Sequence, residues 1–381
     1  MKPIYIQSPS CPHFKACSGC STDLGKEPLI WLEVLENFKS QVVPSLHQGL
    51  PTRWRCRAKL AVRGSSDNPI IGLFKKHTHD AISIPLCLVH HIKINQVIHY
   101  IEQWMKHHAL MPYQEKDNSG DLRYLQCVVE RSTGKVQVVF VLNIADASPQ
   151  AQRWFSLLLE LAQAFDPSLF HSIWINFNCR ATNTIFSNRW QLVWGEEYVW
   201  ERFGEVSVCF QPANFAQANL SLFEELLQKI KEWVPDGAKV AEFFAGVGVI
   251  GLFIASKCTW VKCGEVNPHA KLCFTLSRAK LPADAADKIS FYTGSDEETL
   301  GLMQAADVVI VDPPRKGLSE AFIGSLKHSS VNQLIYVSCG WESFKKNCQQ
   351  LALDGWKLED LDGYAFFPGS NHIELLARFI R

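Results

Sequence analysis

The chain of 381 residues lacks several features that would identify its class at once. It has no net charge, because 38 Lys and Arg balance 38 Asp and Glu. This balance excludes a polybasic tail protein, although a local basic patch could still bind nucleic acid. No uninterrupted apolar run reaches about 18 residues, so neither a transmembrane helix nor a membrane partner is expected. Internal repeats and low-complexity tracts are absent as well.

The chain also lacks the pattern of a secreted, disulfide-stabilised protein. Residues Met1–Ser8 contain no apolar run of the kind that forms a secretion signal. The 13 cysteines are an odd number, and such usage without a signal is typical of a reducing compartment, in which thiols serve metal binding or chemistry. We therefore expect a cytoplasmic protein, and no obligate protein partner is evident.

The apolar content of 47% is ample for real cores, and the chain divides into two unlike halves. In the first half, Leu125–Glu130 and Lys135–Leu142 predict strands of an antiparallel sheet, while Val97–Ala109 and Ala151–Phe165 predict amphipathic helices. After a predicted helix at Ser221–Trp233, short apolar runs alternate with helical segments, which indicates a parallel sheet wrapped by helices. These runs are Lys239–Phe244, Trp260–Val266, Ile289–Thr293, Val308–Val311 and Leu334–Ser338.

This change of pattern predicts a domain boundary near residues 205–215. Residues 208–381 are expected to form a Rossmann-like α/β domain. Residues 96–207 are expected to form a central α+β domain. Residues 1–95, which carry clustered cysteines and a basic stretch, would join it in one unit.

A glycine-rich turn opens the second half. Gly246, Gly248 and Gly251 fit the pattern G-x-G-x-x-G between a predicted strand and a predicted helix, where glycine permits a tight turn and close approach of a ligand. About 20 residues on, Glu265 can accept hydrogen bonds from ribose hydroxyls. The motif predicts an adenosine-bearing cofactor without choosing between NAD and S-adenosylmethionine. A packing turn without a ligand is the alternative.

The fourth apolar run ends in Asp312-Pro-Pro-Arg315. Two prolines give the strand a rigid, extended exit, so Asp312 is expected at the carboxyl end of the sheet, where α/β proteins bind ligands. Methyltransferases that act on planar bases often have such a segment. Those that methylate amino groups usually have an aromatic residue in place of Arg315. A Pro-Pro loop without a catalytic part is the alternative.

The fifth run ends in Ser338-Cys339-Gly340, so the Cys339 thiol should open into the same crevice as Asp312. A lone cysteine after an apolar strand is usually a small buried residue. Beside a methyl donor, however, a thiolate can add to C6 of uracil and make C5 nucleophilic.

A base must then remove the C5 proton. Glu374 opens the closing apolar strand after a turn, and burial could raise its pKa. His372 is the rival base, and a solvated strand face is the alternative for both.

In this order the motifs resemble the RNA uracil-C5 methyltransferase family, which makes 5-methyluridine in ribosomal or transfer RNA. The segments Phe215-x-Gln217-x-Asn219 and Phe366-Phe-Pro…His372-x-Glu374 match further elements of that family. The resemblance implies a class I S-adenosylmethionine methyltransferase domain, with Cys339 as the nucleophile and Glu374 as the base. It further implies that the cofactor is bound by Gln217, Phe244, Gly246, Gly248, Glu265 and Asp312.

The chain departs from the family pattern at three places. Glu242 stands where Asp is usual, and Ala245 stands where Cys is usual. These two substitutions change little in length and size. Gly340-Trp341 replaces the usual Asn-Pro after the thiol and alters the turn that aims it. An RNA-binding protein that has lost catalysis is therefore an alternative function.

Four cysteines near the start form a further candidate site. Cys11, Cys17 and Cys20 have the spacing C-x5-C-x2-C, and Cys87 follows at a distance. Four thiolates can hold a [4Fe–4S] cluster or a tetrahedral zinc ion, although zinc sites more often combine two C-x2-C pairs. The resemblance favours the iron–sulfur cluster, because the family carries one at this place. A zinc-containing base amino-methyltransferase is the alternative.

The stretch of residues 51–79 is a candidate RNA-binding surface, because it has seven basic residues and one acid. Arg55, Arg57 and Lys59 alternate, so on a strand they would share one face and could follow a phosphate backbone. Trp54 and Phe74 could stack on unpaired bases. A solvated sheet face is the alternative.

Many members of the family carry an additional β-barrel RNA-binding domain before the cysteines. The cysteines of this chain begin at Cys11, so we expect no such barrel. The chain most resembles the short bacterial enzyme that methylates 23S rRNA. Ribosomal RNA is therefore the expected partner, with tRNA as the nearest alternative.

Overall fold

The computed structural model describes residues 10–164, 168–182 and 184–381. Met1–Ser8, which bear on the expected lack of a secretion signal, and Phe165, at the end of a predicted helix, lie outside these ranges. The chain forms two compact units. The N-terminal unit comprises residues up to Lys26 together with Leu50–Val199, and the C-terminal unit comprises Glu27–Gly49 together with Trp200–Arg381.

This division differs from the linear one expected from the sequence, because residues 27–49 belong to the C-terminal unit. They form helix α1 (Ile30–Phe38) and strand β1 (Ser45–Gln48). Trp31, Val34 and Phe38 recur at helical spacing and are buried in the core of that unit. The later boundary falls between residues 199 and 200, just before the predicted interval.

The described part of the N-terminal unit contains a seven-stranded sheet and two helices. The helices α2 (Ile92–His107) and α3 (Pro149–Ala164) are held together by Trp104 and Trp154, whose ring centroids lie 6.0 Å apart. The sheet order is β4-β3-β2-β5-β6-β7-β8, and its neighbours are antiparallel except for β6 and β7. The strands are β2 (Arg57–Gly64), β3 (Pro69–Phe74), β4 (Ala81–Ser83), β5 (Leu122–Val129), β6 (Val136–Leu142), β7 (Phe170–Phe177) and β8 (Trp190–Gly195).

The second segment of the C-terminal unit opens with the two-stranded sheet of β9 (Val199–Phe203) and β10 (Val206–Phe210), with the unit boundary directly after Val199. Its helices are α4 (Leu220–Trp233), α5 (Val249–Ile254), α6 (Ala270–Arg278), α7 (Ala283–Ala286), α8 (Glu320–Lys327) and α9 (Trp341–Leu353). Its remaining strands are β11 (Lys239–Phe243), β12 (Trp260–Glu265), β13 (Ile289–Thr293), β14 (Val308–Val311), β15 (Gln333–Ser338), β16 (Lys357–Ala365) and β17 (Glu374–Ile380). The five apolar runs read from the sequence match β11 to β15 within one residue at each end.

These strands form an eight-stranded sheet in the order β1-β16-β17-β15-β14-β11-β12-β13. All neighbours are parallel except β17, which is antiparallel to both β15 and β16. The chain moves outward from β11 to β13 and then returns to β14 on the other side. The crevice at such a switch point, at the carboxyl ends of the strands, is where open α/β sheets bind ligands.

Across the described ranges, no helix combines the length and the hydropathy needed to cross a bilayer.

Candidate functional site

A cavity of about 690 Å³ lies at the carboxyl ends of β11 to β15, within the C-terminal unit. Its size falls in the range of small-molecule sites, roughly 300–1,000 Å³. Among the residues predicted from the sequence, Gly248 is absent from its walls. The other predicted residues of this unit line the cavity, namely Gln217, Phe244, Gly246, Glu265, Asp312, Cys339 and Glu374.

The glycine turn between β11 and α5 forms one wall. Phe244, Gly246 and Gly248 all have positive φ, at 60°, 56° and 77°. For Phe244 this left-handed conformation is strained, and such outliers are common where a backbone is shaped for a ligand. A Cβ on Gly248 would lie 2.6 Å from the ring of Phe274, so Gly248 shapes the turn and does not line the cavity.

Glu265 ends β12, and two backbone N–H groups fix its carboxylate. Gly246 N donates to Oε2 and Asn267 N donates to Oε1, each at 2.8 Å. A carboxylate offers about four acceptor positions, so Glu265 can still accept ribose hydroxyls. The fixed orientation of the Glu265 carboxylate is therefore compatible with its predicted role in binding ribose hydroxyls.

Gln217 and Asn219 of the Phe215-x-Gln217-x-Asn219 segment have different structural roles. Gln217 lines the cavity. Asn219 instead caps α4, where its side chain accepts from Leu222 N at 3.3 Å, and its amide donates to the Phe366 carbonyl at 3.2 Å. Asn219 therefore anchors the segment that presents Gln217.

Glu242 lies beneath the turn and is almost fully buried. Its Oε2 accepts from Gly251 N at 2.9 Å and from the Cys263 thiol at 3.1 Å. Burial raises the pKa of Glu242 to about 8. The longer Glu side chain, at the position where Asp is usual, thus reaches the first turn of α5 and stabilises the loop from below.

The candidate nucleophile and base lie at the ends of adjacent strands. Ser338 of β15 pairs with Leu375 of β17 in antiparallel register. Cys339 directly follows Ser338, Glu374 directly precedes Leu375, and both residues line the cavity. The Cys339 side chain is half-buried, and the Glu374 residue is only 6% exposed.

The electrostatics of the cavity favour uncharged acids in the absence of a cation. Burial, followed by the negative charges of Glu374 and Asp312, raises the pKa of Cys339 to about 11, while Arg315 opposes the shift. Burial, then Asp312, raises the pKa of Glu374 to about 8, again opposed by Arg315. Burial raises the pKa of Asp312 to about 7. A positive charge placed here would stabilise the ionised forms of all three groups.

His372, the rival base, is exposed and does not line the cavity. Burial, then Arg315, lowers its pKa. Of the two candidate bases, the structure therefore brings only Glu374 to the thiol.

The unusual turn after Cys339 is closely packed. A Cβ on Gly340 would lie 2.5 Å from the Arg315 carbonyl oxygen, so only glycine allows the two loops to approach. The Ser343 hydroxyl donates to the same carbonyl at 2.7 Å. Trp341 begins α9 and is 9% exposed. Gly340-Trp341 therefore forms an ordered turn that leaves Cys339 in the cavity.

The cavity also contains polar residues to which the sequence analysis gave no role, among them Asn267, Asp296 and Arg315. Asp296 follows β13 as Asp312 follows β14, so a carboxylate just beyond a parallel strand was the available signal. Arg315 was visible in the motif, but its charge acts on Cys339 and Glu374 only once the strands are assembled.

In the N-terminal unit, a separate cavity of about 180 Å³ is lined by all four predicted cysteines, Cys11, Cys17, Cys20 and Cys87. The sequence grouping is thus reproduced in space. Among the residues that the structure describes, however, no three His, Cys, Asp or Glu side chains are grouped so as to hold a metal ion. The cysteines nevertheless share one cavity, and after burial the charges of Cys87, Cys17 and Cys11 raise the pKa of Cys20.

The basic stretch is only partly available to RNA. Arg57 and Lys59 lie on the same face of β2, and Lys59 is exposed, with Nζ 4.7 Å from the Phe186 ring centroid. Arg55 precedes β2 and, like Lys59, lines the cysteine cavity. Burial lowers the pKa of Arg55, a shift that Cys87 and Cys20 oppose, and burial, then Arg57, lowers the pKa of Lys59. Trp54 is 7% exposed, so the prediction that its ring stacks on bases is wrong.

Taken together, the strand order and the acidic, glycine-walled cavity define a Rossmann-like S-adenosylmethionine methyltransferase fold. A solved structure with the same fold is the tRNA (uracil-54, C5)-methyltransferase of Pyrococcus abyssi in complex with S-adenosyl-L-homocysteine. The TM-score is 0.72 at 24% identity, over 91% of this chain and 81% of that chain.

Sequence comparison identifies the family. The chain is 62% identical over 380 residues to an "Uncharacterized RNA methyltransferase" of Protochlamydia amoebophila, covering 100% of this chain and 99% of that protein. A protein of the same description from Halalkalibacterium halodurans is 26% identical over 394 residues, covering 98% and 83%. The tRNA (Uracil-5-)-methyltransferase family model matches residues 284–378. The chain belongs to the RNA uracil-C5 methyltransferase family and is an RNA methyltransferase.

Proposed function

We propose that this protein methylates C5 of a specific uridine in RNA, with Cys339 as the nucleophile and Glu374 as the general base. One observation carries the proposal. The thiol and the carboxyl, at neighbouring ends of β15 and β17, line one cavity that also contains Asp312 and the glycine turn, and the charge of Glu374 acts on the Cys339 thiol. A covalent mechanism at a pyrimidine needs both groups close to one ring.

The cavity residues fit S-adenosylmethionine. Glu265, oriented by two backbone N–H groups, suits the ribose hydroxyls, and the strained turn at Phe244 and Gly246 gives the nucleoside close access to backbone. S-adenosylmethionine supplies an electrophilic methyl group on a positively charged sulfonium. The buried carboxyl of Asp312 is well suited to a cationic ligand and poorly suited to a phosphate.

The chain's own groups account for the remaining chemistry. The Cys339 thiolate adds to C6 of uracil, and the electron pair that moves makes C5 able to take up the methyl group. Arg315 favours the thiolate. The Glu374 carboxylate then removes the proton from C5, after which the C6–S bond breaks and the ring double bond is restored. The raised pKa of Glu374 makes it a stronger base than an exposed carboxylate.

RNA containing 5-fluorouridine tests this proposal, because fluorine at C5 cannot be removed as a proton. The wild type should form an adduct that survives denaturing electrophoresis, and Cys339→Ala should form none. On unmodified RNA, Glu374→Gln should accumulate a methylated adduct that the wild type resolves. No adduct and no methyl transfer by the wild type over ribosomal and transfer RNAs would favour the binding-only alternative.

For the substrate, we propose 23S rRNA, with tRNA as the competing RNA. The resemblance to the short bacterial enzyme supports rRNA, whereas the names of the matching family model and of the Pyrococcus protein favour tRNA. Mass-spectrometric mapping of 5-methyluridine in both RNAs, from cells with and without the gene, distinguishes them. Loss of the modified base from tRNA alone would overturn the rRNA assignment. A cytoplasmic location stays a prediction.

We further propose that Cys11, Cys17, Cys20 and Cys87 hold a [4Fe–4S] cluster. One tetrahedral zinc ion, with Zn–S bonds of ~2.3 Å, would draw all four sulfurs together. In a cluster each thiolate binds a different iron, so the thiols can stand further apart around a shared cavity. All four thiols line one cavity, which supports a group held in common, and the resemblance favours the cluster over zinc.

Protein purified without oxygen should contain iron and sulfide and absorb broadly near ~400 nm, and Cys87→Ala should lose both. Cys179→Ala is the control, because Cys179 is exposed and does not line the cavity. Stoichiometric zinc in a colourless protein would overturn the proposal.

A further inference from the structure

The helix α1, although it lies about 300 residues before Cys339 in sequence, contacts the loops of both proposed catalytic residues. Its last residue, Phe38, packs edge-on against Trp341, with ring centroids 6.1 Å apart, and against Phe344 at 5.9 Å. Trp341 is the second residue after Cys339. The helix is thus part of the support of the nucleophile's turn.

A hydrogen bond makes this contact directional. The indole Nε1 of Trp341 donates to Oε2 of Glu33 at 3.0 Å. A buried Trp needs a partner for its N–H, and Glu33 supplies one from the middle of α1. Together with Gly340, which lets the Arg315 loop approach, this bond fixes the first residue of α9 and so the direction in which Cys339 leaves β15.

The other end of α1 contacts the loop of the proposed base. Ile30 N, at the start of the helix, donates to the Asn371 side-chain oxygen at 2.8 Å. This bond satisfies one of the N–H groups that a helix start leaves without an intrahelical acceptor. Asn371 lies three residues before Glu374.

Packing reinforces this second contact. A Cβ on Gly363 would lie 2.6 Å from the Trp31 ring and 2.7 Å from Ile373 Cδ1. The ring of Trp31 and the residue next to Glu374 therefore meet at one point of β16. Both ends of α1 are held against the two loops.

We propose that α1 is a positioning element of the active site. Glu33, through Trp341, aims the Cys339 thiol, and Asn371, held by the Ile30 N–H, aims Glu374. This inference rests on the proposed function of those two residues. The thiol must reach C6 while the carboxylate reaches the proton on C5 of the same ring, and a displacement of about 1 Å of either group slows such a reaction strongly.

The primary test compares Glu33→Ala with Glu33→Gln. Gln keeps an acceptor oxygen for the indole N–H, whereas Ala removes it. With 5-fluorouridine RNA, Glu33→Ala should form the Cys339 adduct about tenfold more slowly, and Glu33→Gln should recover most of the rate. Affinity for S-adenosyl-L-homocysteine should be unchanged in both variants, because Glu33 does not line the cavity.

The matched control is Glu36→Ala. Glu36 is exposed on the same helix and forms an ion pair with Lys39, one turn away. Its removal should leave the adduct rate at the wild-type value. If Glu33→Ala and Glu36→Ala have equal rates, or if Gln does no better than Ala, the positioning role of Glu33 is refuted.

Asn371 gives an independent readout, because it should affect the later step. On unmodified RNA, Asn371→Ala should accumulate the methylated adduct without slowing its formation, and Asn371→Asp, which keeps the acceptor, should resolve it faster. Slower formation with no accumulation would contradict the assignment. Failure of the wild type to form any adduct would instead refute the proposed function, so the two failures are distinguishable.

Discussion

Cys339 and Glu374 line the same cavity, since Cys339 directly follows β15, Glu374 is the first residue of β17, and their chain neighbours Ser338 and Leu375 are the last pair of these two strands. The antiparallel insertion of β17 between β15 and β16 creates this arrangement. In an all-parallel sheet the residue that opens the last strand would lie at the other edge, far from the thiol. The reversed strand therefore brings a group from the C-terminal end of the chain into the crevice.

Methylation should be faster at higher pH. A carboxyl whose pKa is raised to about 8 is mostly protonated at neutral pH and cannot act as a base. Cys339 also ionises at high pH. Asp312 and Arg315 face both groups and remain in Glu374→Gln. The single-turnover rate of the wild type should rise between pH of about 6 and 9. Glu374→Gln should lose the part of the rise that belongs to Glu374, and its thiol should ionise at a lower pH because the charge of Glu374 no longer raises the pKa of Cys339.

The measurement is the rate of 5-methyluridine formation with enzyme in excess over RNA. Adduct formation on 5-fluorouridine RNA provides the control, since it needs the thiolate and no proton removal from C5. Because the sulfonium of the bound cofactor lowers the pKa of Glu374, the rise should lie at a lower pH than in the free enzyme. A wild-type rate that falls as pH rises over this range would contradict the assignment of Glu374 as the base.

Gly251→Ala should destabilise the C-terminal unit by roughly 1–3 kcal/mol. Its Cβ would lie 2.5 Å from Glu242 Oε2 and 2.6 Å from the Cys263 sulfur, in a fully packed interior. Urea unfolding followed by tryptophan fluorescence measures the change.

Gly324→Ala is the matched control, because Gly324 is inside α8 and nothing lies within 4 Å of its Cβ position. That variant should gain about 0.5–1 kcal/mol, since alanine is the better helix former. Equal effects of the two substitutions would show that the contacts around Gly251 can relax.

The wild type should lose stability as the pH rises from 5 to 8, and Glu242→Gln should reduce this loss. The pKa of Glu242 is about 8 in the folded protein and near ~4.3 when unfolded, so the unfolded chain releases this proton first. The stabilisation is complete below the unfolded value and is lost as pH rises through the folded one. Over this range the wild type should lose on the order of 3–4 kcal/mol more than Glu242→Gln.

Asp312 and Glu374 have raised pKa values as well and act in the same direction, so the difference between the two proteins isolates Glu242. Unfolding midpoints at several pH values provide the test. Parallel curves for the two proteins would mean that Glu242 remains ionised in the fold.

Lys59→Ala should weaken RNA binding uniformly across sequences. It should also make the slope of log K against log salt concentration smaller in magnitude by about one. Lys59 is the exposed member of the predicted basic face. Filter binding at several salt concentrations measures both quantities. Lys116→Ala is the control, since Lys116 is exposed in a turn of the same unit. Equal slopes for the two variants would argue against RNA contact at β2.

Three residues of the candidate active site, Asp312, Cys339 and Glu265, could be predicted because each lies at the end of a parallel strand or directly after it. Strand ends are local features, and parallel topology gathers them at one edge whatever the rest of the chain does. For this reason Asp312, Cys339 and Glu265 were placed correctly in one crevice.

The roles of Arg55 and α1 could not be predicted, because they depend on contacts with residues that are distant in the sequence. Alternating charges on a strand show which residues share a face, but not whether that face meets solvent or a cavity lined by cysteines. The pattern of a nine-residue amphipathic helix likewise predicts that one face is buried, but not which core buries it. Trp31 and Phe38 are buried against residues more than 300 positions away.

The placement of residues 27–49 in the C-terminal unit has a consequence for biosynthesis. Their apolar side chains leave the ribosome early, yet the strand that β1 pairs with, β16, is made some 300 residues later. Trp31, Val34 and Phe38 belong to a core whose other buried residues begin at Ala241, so until those are made the three side chains lack that core and are prone to aggregation. A fragment that starts at Trp200 would have the converse defect, an uncovered β16 edge open to pairing with other chains.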